Sequence, residues 1–186
     1  FLTNKDNYKP DFFMRGKHQW TNANLAIYVA ENLRDFGFKI SKDNIELGLT
    51  NTEHRGRLEF FNGILFDGAH NVAGAKALCE YLDEFISRPI VMIFGAMRDK
   101  NLSEIAEILF PKADKLILTK PDNLRSMETA EIAEFVSKDE VYQTETVSEA
   151  LKIAREISDE KDLILVTGSL YLIGEAQKML MQASEF

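Results

Sequence analysis

A helix-period pattern occupies residues 22–36, near the start of the chain. Apolar side chains recur there at spacings of three or four positions, at Leu25, Val29, Leu33 and Phe36. Such spacing predicts an amphipathic helix that buries one stripe against the rest of the protein. We therefore expect these side chains to lie in a core.

The pattern changes after residue 57, where short apolar runs replace the helical stripe. The segment "LEFFNGILF" contains two such runs on either side of Asn62-Gly63, a dipeptide that tolerates the positive φ angles of a two-residue hairpin turn. The later runs "PIVMIFGA", "KLILTK", "EVYQT" and "DLILVTGS" alternate with helix-period segments. This alternation predicts an α/β fold with an open, mostly parallel sheet flanked by helices. The two regions meet near residues 50–55.

Composition and charge narrow the classes of partner. The 186 residues are 45% hydrophobic, and 22 Lys and Arg against 30 Asp and Glu give a net charge of -8, which argues against nucleic acids and anionic membranes as partners. The single cysteine excludes an internal disulfide and a zinc-type ligand cluster, so we predict no metal site made by protein ligands alone. Neither a leader-like start nor a membrane-length apolar run is present, and we expect a cytoplasmic protein.

The residues with chemical potential follow the predicted strands. Four loops at the strand ends, at residues 67–71, 95–100, 119–120 and 167–171, supply a carboxylate, an imidazole, cations and a hydroxyl. Ligands of open parallel sheets bind outside the carboxyl ends of the strands. This arrangement predicts a site for a charged small molecule.

Each of these residues also has a purely structural interpretation. Asp67 can accept backbone hydrogen bonds or cap the next helix, while His70 and Asn71 are common turn residues. Ser169 can cap a helix, and residues 98–100 can form a solvated charge run. A self-contained nucleotide enzyme is less favoured, because neither G-x-G-x-x-G nor G-x-x-x-x-G-K-[ST] occurs. A hydrolase triad is also disfavoured, because the nucleophile elbow G-x-S-x-G is missing.

The order of four motifs resembles a known family. "GRLEFF", "ILFDGAHN", "FGAMRDKN" and "VTGSLYLIGE" resemble the C-terminal, Rossmann-like domain of the folylpolyglutamate synthase and dihydrofolate synthase family, within the Mur ligase superfamily. The earlier "GKHQWTNANLAIYVAENL" resembles the end of that family's central ATPase domain. The resemblance therefore implies that residues 1–50 are the tail of an ATPase domain with a linker and that residues 51–186 are the C-terminal domain. Val72 departs from the pattern, since the family often has proline there.

The resemblance implies an ATP-dependent ligase that uses Mg²⁺ and joins L-glutamate to the carboxylate of a folate or of dihydropteroate through an acyl phosphate. The residues expected to bind the nucleotide are Arg57, Asp67, His70 and Asn71. Two of them, Arg57 and His70, are also expected to be catalytic. Among them, Asp67 is matched to the ribose hydroxyls and Arg57 to the phosphates. The candidates for binding glutamate are Arg98, Lys100 and Ser169.

The resemblance also implies that half of the active site is missing from this sequence. The family's phosphate loop, Mg²⁺ ligands and carbamylated lysine have no counterpart here, so we expect the polypeptide alone to be inactive, to bind nucleotide weakly and to self-associate through its uncovered apolar stripe. Two alternatives remain open, a noncatalytic module that binds a nucleotide or an amino acid and a Mur-type ligase with another acceptor. The sequence does not distinguish dihydrofolate synthase from folylpolyglutamate synthase activity.

Overall fold

The structure, a computed structural model, describes residues 1–98, 102–137 and 140–183. The chain divides into two units, Phe1–Arg55 and Gly56–Phe186. None of the helices in these described ranges is long and apolar enough to cross a membrane.

The first unit contains two helices, α1 (Lys17–Asp35) and α2 (Lys42–Thr50). Its core is small and centres on five buried side chains, Tyr8, Ala23, Ile27, Ile45 and Leu49. Ser41 fixes the start of α2 with a reciprocal capping box, in which the Ser41 hydroxyl accepts from the N–H of Asn44 and the Asn44 side chain accepts from the N–H of Ser41.

The predicted buried stripe of α1 is wrong. Leu25 is 61% exposed, Val29 49% and Phe36 80%. The residues of α1 that the structure buries are Gln19, Ala23, Ile27 and Glu31. The periodicity ranks positions by hydrophobicity, whereas this unit packs the helix through two apolar residues outside the predicted stripe and through two polar ones, Gln19 and Glu31. The carboxylate of Glu31 accepts hydrogen bonds from Tyr8 Oη at 2.9 Å and from Thr3 Oγ1 at 2.6 Å.

The second unit is built on a six-stranded sheet with the order β1-β2-β6-β3-β4-β5. The strands are β1 (Glu59–Phe61), β2 (Ile64–Asp67), β3 (Ile90–Phe94), β4 (Lys115–Leu118), β5 (Val141–Gln143) and β6 (Leu163–Thr167). β1 pairs antiparallel with β2, and every other pairing in the sheet is parallel. The predicted hairpin is confirmed, since Asn62 and Gly63 at its turn have φ angles of 49° and 78°.

Helices cover both faces of this sheet, which confirms the predicted fold class. The helices are α3 (Val72–Phe85), α4 (Leu102–Leu109), α5 (Thr129–Ala133), α6 (Val147–Ile157) and α7 (Leu170–Ala183). α3, α4 and α5 contribute to the apolar cluster on one face, and α6 and α7 contribute to the cluster on the other. β2, β3, β4 and β6 are apolar throughout their centres, as expected for strands buried on both sides.

The topology marks one place on the carboxyl edge of the sheet. The chain leaves β2 and β3 toward the face covered by α3 and α4, but it leaves the strand between them, β6, toward the opposite face. Where neighbouring connections diverge in this way, a crevice opens outside the strand ends. The carboxyl ends of β2, β6 and β3 are therefore the place to examine for a site.

Candidate functional site

Asp67 is the last residue of β2 and lies at this crevice. Its side chain is only 5% exposed, and its Oδ2 accepts a hydrogen bond from the backbone N–H of Leu58 at 3.0 Å. Leu58 has a positive φ of 46°, a conformation that is uncommon for a leucine. The carboxylate thus stabilises the turn that precedes β1, which is the structural role that the sequence left open for it.

The environment of Asp67 shifts its protonation. Burial raises the pKa of Asp67 from 3.8 to about 6, because desolvation disfavours the charged form. The backbone N–H groups of Leu58 and Ala69 and the electrostatic effects of Arg57 and His70 act in the opposite direction and limit the rise in pKa. The carboxylate is therefore ionised above about pH 6, and Arg57 and His70 are close enough to act on it.

Close backbone packing brings three segments together around Asp67. The N–H of Gly68 donates to the carbonyl of Gly56 at 2.7 Å. A Cβ on Gly68 would come within 2.4 Å of Leu170 Cδ2, and a Cβ on Gly56 would come within 3.2 Å of Ile173 Cγ2. Glycine at these positions lets the turn before β1, the turn after β2 and the first turn of α7 approach one another.

His70 and Asn71 complete the turn that follows β2. The ring Nδ1 of His70 lies 2.7 Å from the carbonyl oxygen of Gly68, so Nδ1 carries the hydrogen and Nε2 is the nitrogen left for a ligand. Asn71 is the N-cap of α3, since its Oδ1 accepts from the N–H of Gly74 at 2.8 Å. The cap uses the amide oxygen of Asn71 and leaves its exposed amide nitrogen as a donor. Replacing proline with Val72 leaves the start of the helix intact.

Arg57 and Ser169 flank Asp67 from the other two segments. Arg57 is half-buried, and no acidic side chain within the described ranges forms an ion pair with it. Ser169 is 2% exposed, and its Oγ accepts from the N–H of Tyr171 at 3.1 Å at the start of α7. The serine therefore caps a helix, as one of its two interpretations predicts, while its hydroxyl hydrogen stays available to donate.

Comparison with known proteins identifies the family of the domain that carries this crevice. Residues 56–170 match the family model described as "Mur ligase, glutamate ligase domain". The chain belongs to the Mur ligase family. The Mur ligase domain therefore covers the whole sheet and the candidate residues Arg57 through Ser169.

Named relatives agree with the family assignment. A protein of Haloferax volcanii named "Probable bifunctional folylpolyglutamate synthase/dihydropteroate synthase" is 31% identical over 87% of this chain and 20% of its own length. The Bacillus subtilis dihydrofolate synthase/folylpolyglutamate synthase is 28% identical over 89% of this chain and 40% of its own length. The structure of Mycobacterium tuberculosis folylpolyglutamate synthase complexed with ADP is 28% identical, with a TM-score of 0.80, over 90% of this chain and 41% of that one. The chain thus spans less than half the length of these relatives.

The remaining candidates do not join the group around Asp67. In the Mur ligase domain, Arg98 lies 3.4 Å from Glu128 Oε1 and 3.9 Å from Glu131 Oε2, and Lys120 lies 2.6 Å from Glu128 Oε1. Arg98 and Lys120 line a separate cleft of about 710 Å³ at the ends of β3 and β4, whose lining does not include Asp67. Lys100 lies outside the described residues.

Two residues of the Mur ligase domain bear on the candidate residues although the sequence did not single them out, Glu128 and Thr167. Glu128 pairs with the predicted ligand Arg98 and with Lys120, and the hydrogen bond from Lys120 is the main reason that its pKa lies below the usual range. Thr167, at the end of β6, has a buried hydroxyl without a hydrogen-bond partner in the described part of the chain. Its position in "VTGS" after an apolar run was the only signal, and it did not distinguish a core residue from a functional one.

Proposed function

We propose that this chain is the C-terminal part of an ATP-dependent ligase that adds L-glutamate to the carboxylate of a folate or of dihydropteroate through an acyl phosphate. The observation that carries the proposal is the match of residues 56–170 to the Mur ligase, glutamate ligase domain, in a chain whose named relatives are folylpolyglutamate and dihydrofolate synthases. Because those relatives are more than twice as long, the activity belongs to a larger assembly than these 186 residues.

The nucleotide side of the proposal rests on Arg57, Asp67 and His70. Arg57 offers a guanidinium that forms no direct ion pair in the described ranges, and such a group suits the oxygens of a polyphosphate. Asp67 is ionised above about pH 6, so near neutral pH it can accept hydrogen bonds from ribose hydroxyls. His70 Nε2 and the exposed amide nitrogen of Asn71 supply further polar contacts beside it.

The glutamate side of the proposal assigns Arg98, Lys100 and Ser169 to the carboxylates of the incoming amino acid. Ser169 keeps a donor hydrogen at the crevice, which suits a carboxylate acceptor. Arg98 has to release Glu128 and Glu131 to serve this role, since both now hold its guanidinium. Binding of glutamate at Arg98 thus requires a rearrangement of this ion-pair network.

Transfer through an acyl phosphate depends chiefly on charge stabilisation and positioning. Mg²⁺, when bound, supplies positive charge to the transferring phosphate, and we place its protein ligands outside this chain. Arg57 adds positive charge from this side, while Asp67 and Asn71 orient the nucleotide. Ser169 holds glutamate so that its amine lies near the activated carboxylate. This alignment lowers the activation barrier, because the translational and rotational entropy is lost on binding and not in the transition state.

The proposal extends to the organisation of the polypeptide. Residues 1–50 correspond to the tail of an ATPase domain with a linker, and residues 51–186 to the C-terminal domain. The 186-residue chain alone then has no ligase activity and binds ATP weakly, and the exposed side chains of Leu25, Val29 and Phe36 promote its self-association. The parent ligase is cytoplasmic.

A glutamate incorporation assay tests the proposal directly. The full product of the reading frame that contains this chain is supplied with ATP, Mg²⁺ and labelled L-glutamate, with dihydropteroate and tetrahydrofolate offered separately. ATP-dependent incorporation into either acceptor supports the ligase, and the pattern across the two identifies the parent activity. The 186-residue chain serves as the matched control and is expected to incorporate nothing.

Two other outcomes point to the alternatives. Incorporation only into another acceptor indicates a Mur-type ligase of different specificity. Failure with every acceptor, together with tight nucleotide or amino-acid binding by the 186-residue chain alone, indicates a noncatalytic binding module. Turnover of ATP by the 186-residue chain itself contradicts the proposed division of the active site.

A further inference from the structure

Thr167 presents a buried hydroxyl that the fold does not use. It is fully buried at the end of β6, and its Oγ1 has no hydrogen-bond partner in residues 1–98, 102–137 and 140–183. A buried polar group without a partner costs about 1–3 kcal/mol, and valine would fill the same shape without that cost. The hydroxyl therefore calls for an explanation beyond packing.

The sheet register places this hydroxyl beside Asp67. Thr167 pairs in register with Asp67 on one side and with Phe94 on the other. Side chains two residues apart along a strand share a face, and both Leu65 and Leu165 belong to the cluster under α3 and α4. Asp67 and Thr167 therefore lie on that same face, on strands about 4.8 Å apart.

The carboxylate of Asp67 can accept the hydrogen bond that the hydroxyl of Thr167 can donate. Its carboxylate receives backbone N–H groups from Leu58 on the β1 side and from Ala69 in the turn that follows β2, and an ionised carboxylate has room for further hydrogen bonds. The other register partner of Thr167 is the hydrocarbon ring of Phe94, so Asp67 is the polar one of the two. The charged groups that act on Asp67 are Arg57, from the turn before β1, and His70, from the turn after β2.

We propose that Thr167 is a positioning residue, whose hydroxyl donates a hydrogen bond to the ionised carboxylate of Asp67 and holds it in one orientation. Because Thr167 Oγ1 has no partner in the described part of the structure, the hydrogen bond requires the threonine to adopt the staggered rotamer that directs its hydroxyl toward the carboxylate. The hydrogen bond favours the charged form of Asp67, which burial otherwise disfavours. Its effect on nucleotide binding rests on the proposed function, whereas the hydrogen bond itself does not.

Thr119 provides a matched control for Thr167. It is also fully buried at a strand end, after β4, and its Oγ1 is likewise without a partner in the described ranges. Its side chain lies on the opposite face, since Ile117 belongs to the cluster under α6 and α7. Thr119→Val therefore removes a similar hydroxyl at a distance from Asp67.

The experiment follows the Asp67 carboxyl carbon by NMR during a pH titration of the full chain. Thr167→Val is expected to raise the pKa of Asp67 by about one unit, a tenfold change in proton affinity. Thr167→Ser, which keeps the hydroxyl, and Thr119→Val are expected to leave the titration unchanged. An unchanged pKa in folded Thr167→Val overturns the proposal, as does an equal rise in Thr119→Val.

Two further measurements keep the test decisive. If Thr167→Val does not fold, the hydroxyl proton of Thr167 in the wild-type chain is expected to give a slowly exchanging signal at pH 8 that is lost below pH 5. Failure to observe that signal contradicts the hydrogen bond. ADP affinity is measured in parallel: a shifted pKa with unchanged ADP affinity retains the hydrogen bond and refutes an effect of Thr167 on nucleotide binding.

Discussion

The carboxyl edge of the sheet carries two polar neighbourhoods that differ in how their charges are satisfied. At β2 and β6, Arg57 forms no direct ion pair in the described part of the chain although its charge acts on Asp67, and Asp67 is buried with a raised pKa. At β3 and β4, Arg98 and Lys120 are both paired with Glu128, whose carboxyl is exposed and has a lowered pKa.

This difference teaches that the presence of a cation at a strand end does not make a site. A guanidinium that is already neutralised must give up its partners before it can bind an anion, whereas one without an ion pair is ready to do so. The β2 and β6 neighbourhood is therefore better prepared to bind an anion than the β3 and β4 neighbourhood, where the cations are already paired with Glu128. The following predictions test this contrast.

The largest effect is expected from the two arginines in the full-length ligase. Arg57→Ala is expected to lower kcat/KM for ATP by about 100-fold or more, since it removes a charge aimed at the transferring phosphate. Arg98→Ala is expected to leave kcat/KM for ATP within about threefold, because exposed ion pairs contribute little. Steady-state kinetics in ATP give both values, and equal losses contradict the contrast.

The next effect concerns the stability of the Mur ligase domain. The pKa of Asp67 is raised in the folded state, from 3.8 to about 6, so the stability it confers is present in full below pH 4 and is lost as the pH rises to about 6. The loss amounts to about 3 kcal/mol. Asp67→Asn is expected to abolish this pH dependence and to stabilise the domain at pH 8, while it weakens ADP binding.

Amide hydrogen exchange of β6 measures this stability inside the domain. The only tryptophan, Trp20, lies in the first unit, so its fluorescence does not report unfolding of the sheet. Asp67→Glu is the control that keeps the charge. A slope between pH 4 and 6 that persists in Asp67→Asn assigns the titration to another group.

The sequence sufficed to predict the second unit because its features are local. The turn at Asn62-Gly63, the apolar strand cores and the polar residues at the strand ends each depend on neighbours in the chain. Asp67, His70, Asn71 and Ser169 were accordingly placed at the correct edge of the sheet. Their roles toward ATP and glutamate remain predictions, as do those of Arg57, Arg98 and Lys100.

The features that escaped prediction depend on distant contacts. The stripe of α1 was wrong because Glu31 and Ala23 pack inward while Leu25 points outward, a choice made by Tyr8 and the rest of the small core. Arg98 and Glu128 are 30 residues apart in sequence, and backbone contacts between the segments that follow β3 and β4 bring them together. Periodicity and motifs carry no information about such pairings.

A comparison of two helix caps distinguishes an effect on stability from an effect on nucleotide binding, and both effects are expected to be smaller than those above. Asn71 caps α3 beside the Asp67 group, and Thr146, whose Oγ1 accepts from Glu149 N–H at 3.2 Å, caps α6 at the other cleft. Asn71→Ala and Thr146→Ala are each expected to lower stability by about 1 kcal/mol. ADP affinity is expected to fall only in Asn71→Ala, and calorimetric titration of the full-length ligase distinguishes the two.

The smallest effect is expected for Glu128→Gln. The pKa of Glu128 is lowered by its hydrogen bond with Lys120, so its small contribution to stability is present above pH 4.5 and is lost as the pH falls below that value, opposite in sign to Asp67. Glu128→Gln removes this acid-side dependence and leaves Arg98 with one carboxylate neighbour instead of two.

If Arg98 binds glutamate, the KM for glutamate falls in Glu128→Gln, because less of the ion-pair network must rearrange. Glu131→Gln, which removes the more distant partner, is the matched comparison and is expected to change that KM less. An unchanged KM in both variants, with an unchanged KM in Arg98→Ala, removes Arg98 from the glutamate site and leaves Ser169 as the tested residue on this side.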